Sequence, residues 1–166
     1  RKLYRDLSGY IDYFAALLSR PNIVLTGDFT PSNGAVGAKV LREVRDGFLA
    51  RGVRFRAILI VRDPVERCWS AVRMRHRNAR RRLPFRTDTG SEEAELKATY
   101  RMPKVQQRIR YERTIEQAQQ AFGPDEFRVV MFEELFEQAT LDRLMDWIGV
   151  DRAPGALDRS LNPSPR

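Results

Sequence analysis

Apolar positions along the chain recur with two periods, and the switches between them lay out the elements. Residues 2–19 (KLYRDLSGYIDYFAALLS) place Tyr10, Phe14, Leu17 and Leu18 on one side of a helix. Pro21-Asn22 breaks that pattern, and Ile23-Val24-Leu25 reads as a short buried strand ending at Gly27-Asp28. A turn-rich loop runs from Phe29 to Gly34. Between Ala35 and Ala50, Val36, Val40, Val44 and Phe48 return at helical spacing, and Gly52 closes that helix. The next run, Ala57 to Val61, is wholly apolar, as expected of a central parallel strand covered on both faces. Asp63 is a good N-cap and Pro64 suits a first helical position, so a helix starts directly behind that strand.

Periodicity is lost over residues 84–102 (PFRTDTGSEEAELKATYRM), which read as a mobile insertion holding one short helix. Pro103 to Phe122 is helical, stopped by Gly123-Pro124. Phe127 to Phe132 forms a third strand, and a last helix carries Leu141, Leu144, Met145 and Ile148 to a cap at Gly149. The tail from Asp151 reads as irregular. Strand, helix, strand, helix in this order indicates parallel pairing with right-handed crossovers, hence an α/β chain forming one domain over residues 1–166.

Composition narrows the chemistry. One cysteine, Cys68, leaves no internal disulfide, and it sits on the apolar side of its helix as a packed thiol. A single histidine, His76, gives little scope for a histidine-based metal site, so it reads as solvated or packed between helices. No run approaches the roughly 18 apolar residues of a membrane span. The formal net charge of +8 is built from arginine, lysine occurring only at Lys2, Lys39, Lys97 and Lys104. Such a surface suits nucleic acid, anionic glycans or a polyanionic cofactor. The densest run, Arg73, Arg75, Arg77, Arg80, Arg81 and Arg82, has no interleaved aromatics, which argues against a single-strand nucleic-acid platform. A solvated helix end is the alternative reading of that run.

The sharpest feature is Arg62, the residue delivered by the apolar strand to the mouth of the next helix. Ligands of open α/β sheets bind beyond the carboxyl ends of strands, where helix N-termini present N–H groups. At 100° per residue, Val65, Cys68, Trp69 and Val72 share one side of that helix, and Asp63, Arg67, Ser70 and Met74 the opposite one. Ser70 stands about two turns in, roughly 10 Å along the axis. A forked cation and a neutral hydroxyl suit a phosphate. The alternative is that Arg62 pairs with a carboxylate while Ser70 faces water.

Arg62-Asp63-Pro64, Arg67 and Ser70 resemble the 3′-phosphate-binding motif of sulfotransferases that use 3′-phosphoadenosine 5′-phosphosulfate (PAPS). There an arginine ends a strand and a serine follows eight positions later, as Ser70 follows Arg62. The Asp-Pro after the arginine is closest to the carbohydrate and bacterial branch. FRVVMFEELFEQATLDRLMDWIGV is similar to that family's late strand, acidic turn and capped helix, and Tyr111 and Asn162 match its pattern. The resemblance implies a three-layer, P-loop-NTPase-like parallel sheet flanked by helices, with its first strand missing. It implies PAPS as cofactor, held by Arg62 and Ser70, no metal, and an acceptor bearing a hydroxyl.

Gly27-Asp28-Phe29-Thr30-Pro31 resembles the family's Gly-Glu-Lys-Thr-Pro stretch, whose glutamate is the general base. Asp28 takes that place, one methylene shorter, and Phe29 replaces the lysine. A base must reach the acceptor hydroxyl, and a carboxylate ending a strand is a rigid mount for it. The alternative is an Asx turn with the Thr30 backbone. The family's 5′-phosphosulfate loop has no counterpart after any strand here, so the resemblance implies that it lies upstream of Arg1 and that the chain is partial or trimmed. A basic nucleotide- or nucleic-acid-binding module of the same fold is the competing reading. A kinase-like transferase is disfavoured, because the sequence shows neither a phosphate loop nor an obvious Mg²⁺ carboxylate after a strand.

Overall fold

The computed structural model describes residues 6–82, 91–155 and 157. Among them are seven α-helices and two strands: α1 Leu7–Leu18, α2 Ala38–Leu49, β1 Ala57–Val61, α3 Pro64–Arg82, α4 Glu92–Tyr100, α5 Pro103–Ile109, α6 Tyr111–Ala121, β2 Phe127–Met131 and α7 Gln138–Ile148. Short 3-10 turns occupy Pro31–Ala35 and Glu133–Phe136. The chain is therefore mixed α/β around a small parallel sheet. None of the described helices is long and apolar enough to cross a membrane.

β1 and β2 pair in parallel, Ala57 opposite Phe127 through Val61 opposite Met131. The ladder is extended at both ends, Ala57 N–H donating to the Glu126 carbonyl and Phe132 N–H to the Val61 carbonyl, each at 2.7 Å. Both strands thus stop together, which places Arg62 beside Phe132. Asp63 caps α3 as its position requires, Oδ1 accepting from Glu66 N–H at 2.9 Å. Gly149 ends α7 in the left-handed region at φ 85°, where a Cβ is strained.

Three expectations are corrected. Ile23-Val24-Leu25 forms no regular element and joins no strand of the sheet, and Val24 is 83% exposed. An apolar triplet becomes a strand only when a ladder partner satisfies its backbone, and neither β1 nor β2 reaches it. The sheet accordingly has two strands among the described residues. β1 is not covered on both faces, since Ile58 and Ile60 remain about two-fifths exposed. The expected single helix over Pro103–Phe122 is two helices, broken at Arg110, whose ψ of 68° leaves the helical region.

Within the span expected as an insertion, α4 packs on α3 and α5. His76 Nε2 meets Glu95 Oε2 at 2.5 Å across the α3–α4 contact, and Arg75 donates to the buried Thr99 hydroxyl. Pro84 to Gly90 and Asn162 lie outside the described residues.

The core gathers between α1 and α2, against the segment that leads into β1. Tyr10, Ile11 and Phe48 are buried there, with Phe14, Val44 and Phe55 packed against them. A file of rings continues from Phe48 through Phe55 and Phe122 to Phe127, with successive centroids 5.2–6.1 Å apart. On α3, Cys68 and Val72 are fully buried as the periodicity requires, whereas Val65 in the first turn is exposed. Burial pushes the Cys68 thiol upward, and the neighbouring Arg67 charge opposes that shift without cancelling it.

Candidate functional site

Arg62 leaves the end of β1 with about a quarter of its side chain exposed. Its guanidinium lies 4.7 Å from the centre of the Phe132 ring, a consequence of the two strands ending in step. Nη2 donates to Glu66 Oε2 at 3.3 Å, one turn along α3. Nε stands 3.8 Å from Glu133 Oε1, beyond hydrogen-bond range, and is buried without a partner. The backbone N–H of Arg62 donates to the Tyr111 hydroxyl at 3.4 Å, at the first residue of α6. The carboxylate pairing weighed from the sequence is thus present, but it engages only part of the fork.

Ser70 lies in the second turn of α3, half-buried, and its hydroxyl makes no side-chain hydrogen bond among the described residues. Pro64 has no N–H, and those of Glu66 and Arg67 are taken by the Asp63 side chain and carbonyl. The helix mouth therefore offers an anion less than a bare N-terminus would, and the donors there are mainly Arg62 itself and the N–H of Val65.

Asp28 is tied into its own loop. Oδ1 accepts from Thr30 N–H at 2.9 Å and from the Thr30 hydroxyl; Oδ2 accepts from Tyr10 at 3.1 Å and from Asn33 Nδ2 at 3.0 Å. The Asx turn weighed from the sequence is formed. Burial acts to raise the Asp28 pKa, but the hydrogen bonds from Thr30, Asn33 and Tyr10 outweigh it and hold the carboxyl below its ordinary value of 3.8. Asp28 is accordingly ionised at neutral pH and a weak proton acceptor.

One helix face links these two regions. Tyr111 touches Arg62, while Thr114 donates to the Gly34 carbonyl at 3.0 Å and Gln117 accepts from Ala38 N–H at 2.7 Å. Tyr111 and Thr114 are three residues apart, about 4.5 Å along the axis, on one side of α6. The loop carrying Asp28 and the end of β1 carrying Arg62 thus dock on the same helix end. Tyr10 was read from the sequence only as part of the apolar side of the first helix, and Asn33, Glu66, Phe132 and Glu133 were not read as site residues. Phe132 and Glu133 come beside Arg62 through the register of β1 on β2, which no local pattern specifies.

No protein-family model, curated protein or solved structure matches the chain.

Proposed function

We propose that the chain grips a nucleotide 3′-phosphate through Arg62 and Ser70 and serves a PAPS-dependent sulfotransferase. The observation that carries this reading is the Arg62 guanidinium: fixed at a strand's carboxyl end, stacked on Phe132, with Nε buried and unpaired. A planar fork whose Nε proton neither nearby carboxylate satisfies is suited to a bidentate phosphate oxygen pair once those carboxylates move aside. Ser70 supplies a neutral hydroxyl without a competing side-chain partner among the described residues. In this reading the two parallel strands belong to a wider, three-layer P-loop-NTPase-like sheet.

PAPS, when bound, supplies the sulfuryl group and departs as adenosine 3′,5′-bisphosphate. Arg62 and Ser70 hold and orient the 3′-phosphate end. Asp28 takes the proton of an acceptor hydroxyl, its ionised state at neutral pH meeting the first requirement of a base. Its four hydrogen bonds also favour a second reading, a basic nucleotide-binding module of the same fold that performs no transfer.

Calorimetric titration with adenosine 3′,5′-bisphosphate tests the assignment. Arg62→Ala is expected to weaken binding by roughly tenfold or more and Ser70→Ala by several-fold, in line with one charge-assisted and one neutral hydrogen bond. If adenosine 5′-phosphate binds as tightly as the bisphosphate, the 3′-phosphate assignment is wrong. Bisphosphate binding with no sulfuryl transfer from PAPS to any hydroxyl acceptor would favour the second reading.

A further inference from the structure

We propose that Glu66 and Glu133 form an internal carboxylate clamp that competes with an anionic ligand for Arg62 and sets its affinity. The inference rests on the reading that Arg62 grips a phosphate. The two carboxylates come from different elements, Glu66 from α3 and Glu133 from the 3-10 turn after β2, yet they converge on the same Nε/Nη2 edge of one guanidinium. That edge is where an oxyanion binds an arginine in a two-point contact. Neither glutamate makes such a contact: one reaches Nη2 at 3.3 Å, and the other stops 3.8 Å from Nε. The edge is therefore held but not satisfied, and Nε keeps its proton without an acceptor.

Both carboxylates are more than half exposed, so moving them away loses little: exposed ion pairs of this kind contribute under about 1 kcal/mol each. Glu66 also has a second place to rest. Its Oε2 lies 3.8 Å from Arg73 Nη2, two turns along α3. Asp63, the remaining carboxylate at the helix mouth, is held in place by the Glu66 N–H it caps. A phosphate arriving at Arg62 thus meets a cation already partly neutralised, and its entry sends Glu66 toward Arg73. The clamp discriminates by charge. A monoanion gains little over the carboxylates it displaces, whereas a dianionic phosphate gains more.

Titration of the chain with pyrophosphate and with adenosine 3′,5′-bisphosphate at low ionic strength tests this. Glu66→Gln removes one competing charge and is expected to tighten both probes about two- to fivefold. Glu133→Gln acts in the same direction with a smaller effect, and serves as the second variant should Glu66→Gln lose helical circular dichroism. Unchanged or weaker binding in a folded Glu66→Gln chain would overturn the proposal, because Glu66 would then be positioning Arg62. The outcomes separate the two readings. Tightened pyrophosphate binding without preference for the bisphosphate over adenosine 5′-phosphate keeps the clamp and removes the nucleotide assignment. A bisphosphate preference that neither glutamine variant sharpens does the reverse.

Discussion

Replacing Asp28 by alanine removes the acceptor of four hydrogen bonds at once, and the expected loss can be worked out bond by bond. The two bonds from Thr30 lie at an exposed position, where water replaces the lost acceptor. The bonds from Tyr10 and Asn33 are partly buried, and each donor would be left facing less water. At about 1–1.5 kcal/mol for each of those two, Asp28→Ala should destabilise the fold by roughly 2–3 kcal/mol. Asp28→Asn should lose only about 1 kcal/mol. An asparagine carbonyl still accepts from Thr30, and Asn33 can turn over so that its buried, unpaired Oδ1 accepts from the new amide. For a chain of this length the alanine variant's melting temperature should fall by about 4–10 °C in thermal unfolding followed by circular dichroism at pH 7. The pH dependence has a defined sign. The folded-state pKa of Asp28 is lowered, so its contribution is complete above the unfolded value of 3.8 and disappears as pH falls through the folded value. The gap between wild type and Asp28→Ala should therefore narrow below about pH 4. A gap under about 0.5 kcal/mol at pH 7, within the range of an ordinary surface change, would refute the network as a stabilising element.

Two further outcomes follow from the packing. Gly149→Ala should cost about 1 kcal/mol or more in denaturant unfolding, since φ 85° disfavours a side chain and the new Cβ would meet the Arg54 guanidinium that donates to the Ile148 carbonyl. Cys68 should react with a thiol reagent at pH 8 many times more slowly in the folded chain than in denaturant, because its thiol is buried and its pKa is raised; equal rates would place it at the surface.

Much of the helical framework was legible because its signals are local. Asp63-Pro64 fixed the start of α3, Gly149 fixed the end of α7, and the spacing of Cys68 and Val72 gave the buried side of α3. What could not be read depends on partners distant in sequence. Ile23-Val24-Leu25 has the composition of a strand, yet strand identity needs a neighbouring ladder, which no local pattern specifies. The break at Arg110 is equally silent, because Ile109 is buried and Tyr111 must still reach the backbone of Arg62. At the candidate site the position of Arg62 was readable from the end of an apolar run. Its carboxylate neighbours were partly so: Glu66 stands at i+4 on the same helix, whereas Glu133 comes alongside only through the register of β2. The Asx turn of Asp28 was visible as an alternative, but its donors Tyr10 and Asn33 were not, since one comes from a helix eighteen positions upstream.

The in-step pairing of β1 and β2 also makes the surroundings of Arg62 sensitive to the length of β2. The chain enters β2 through the tight Gly123–Glu126 turn, braced by Gly123 N–H donating to Glu126 Oε2 at 2.8 Å. An inserted or deleted residue inside β2 would exchange its two faces and replace Phe132 as the neighbour of Arg62. The same insertion placed in the α7-to-tail segment after Gly149 would leave that neighbour untouched. Tolerance to insertion should therefore fall sharply within a single five-residue strand, and the length of β2, as much as any side chain, is what sets the chemical company that Arg62 keeps.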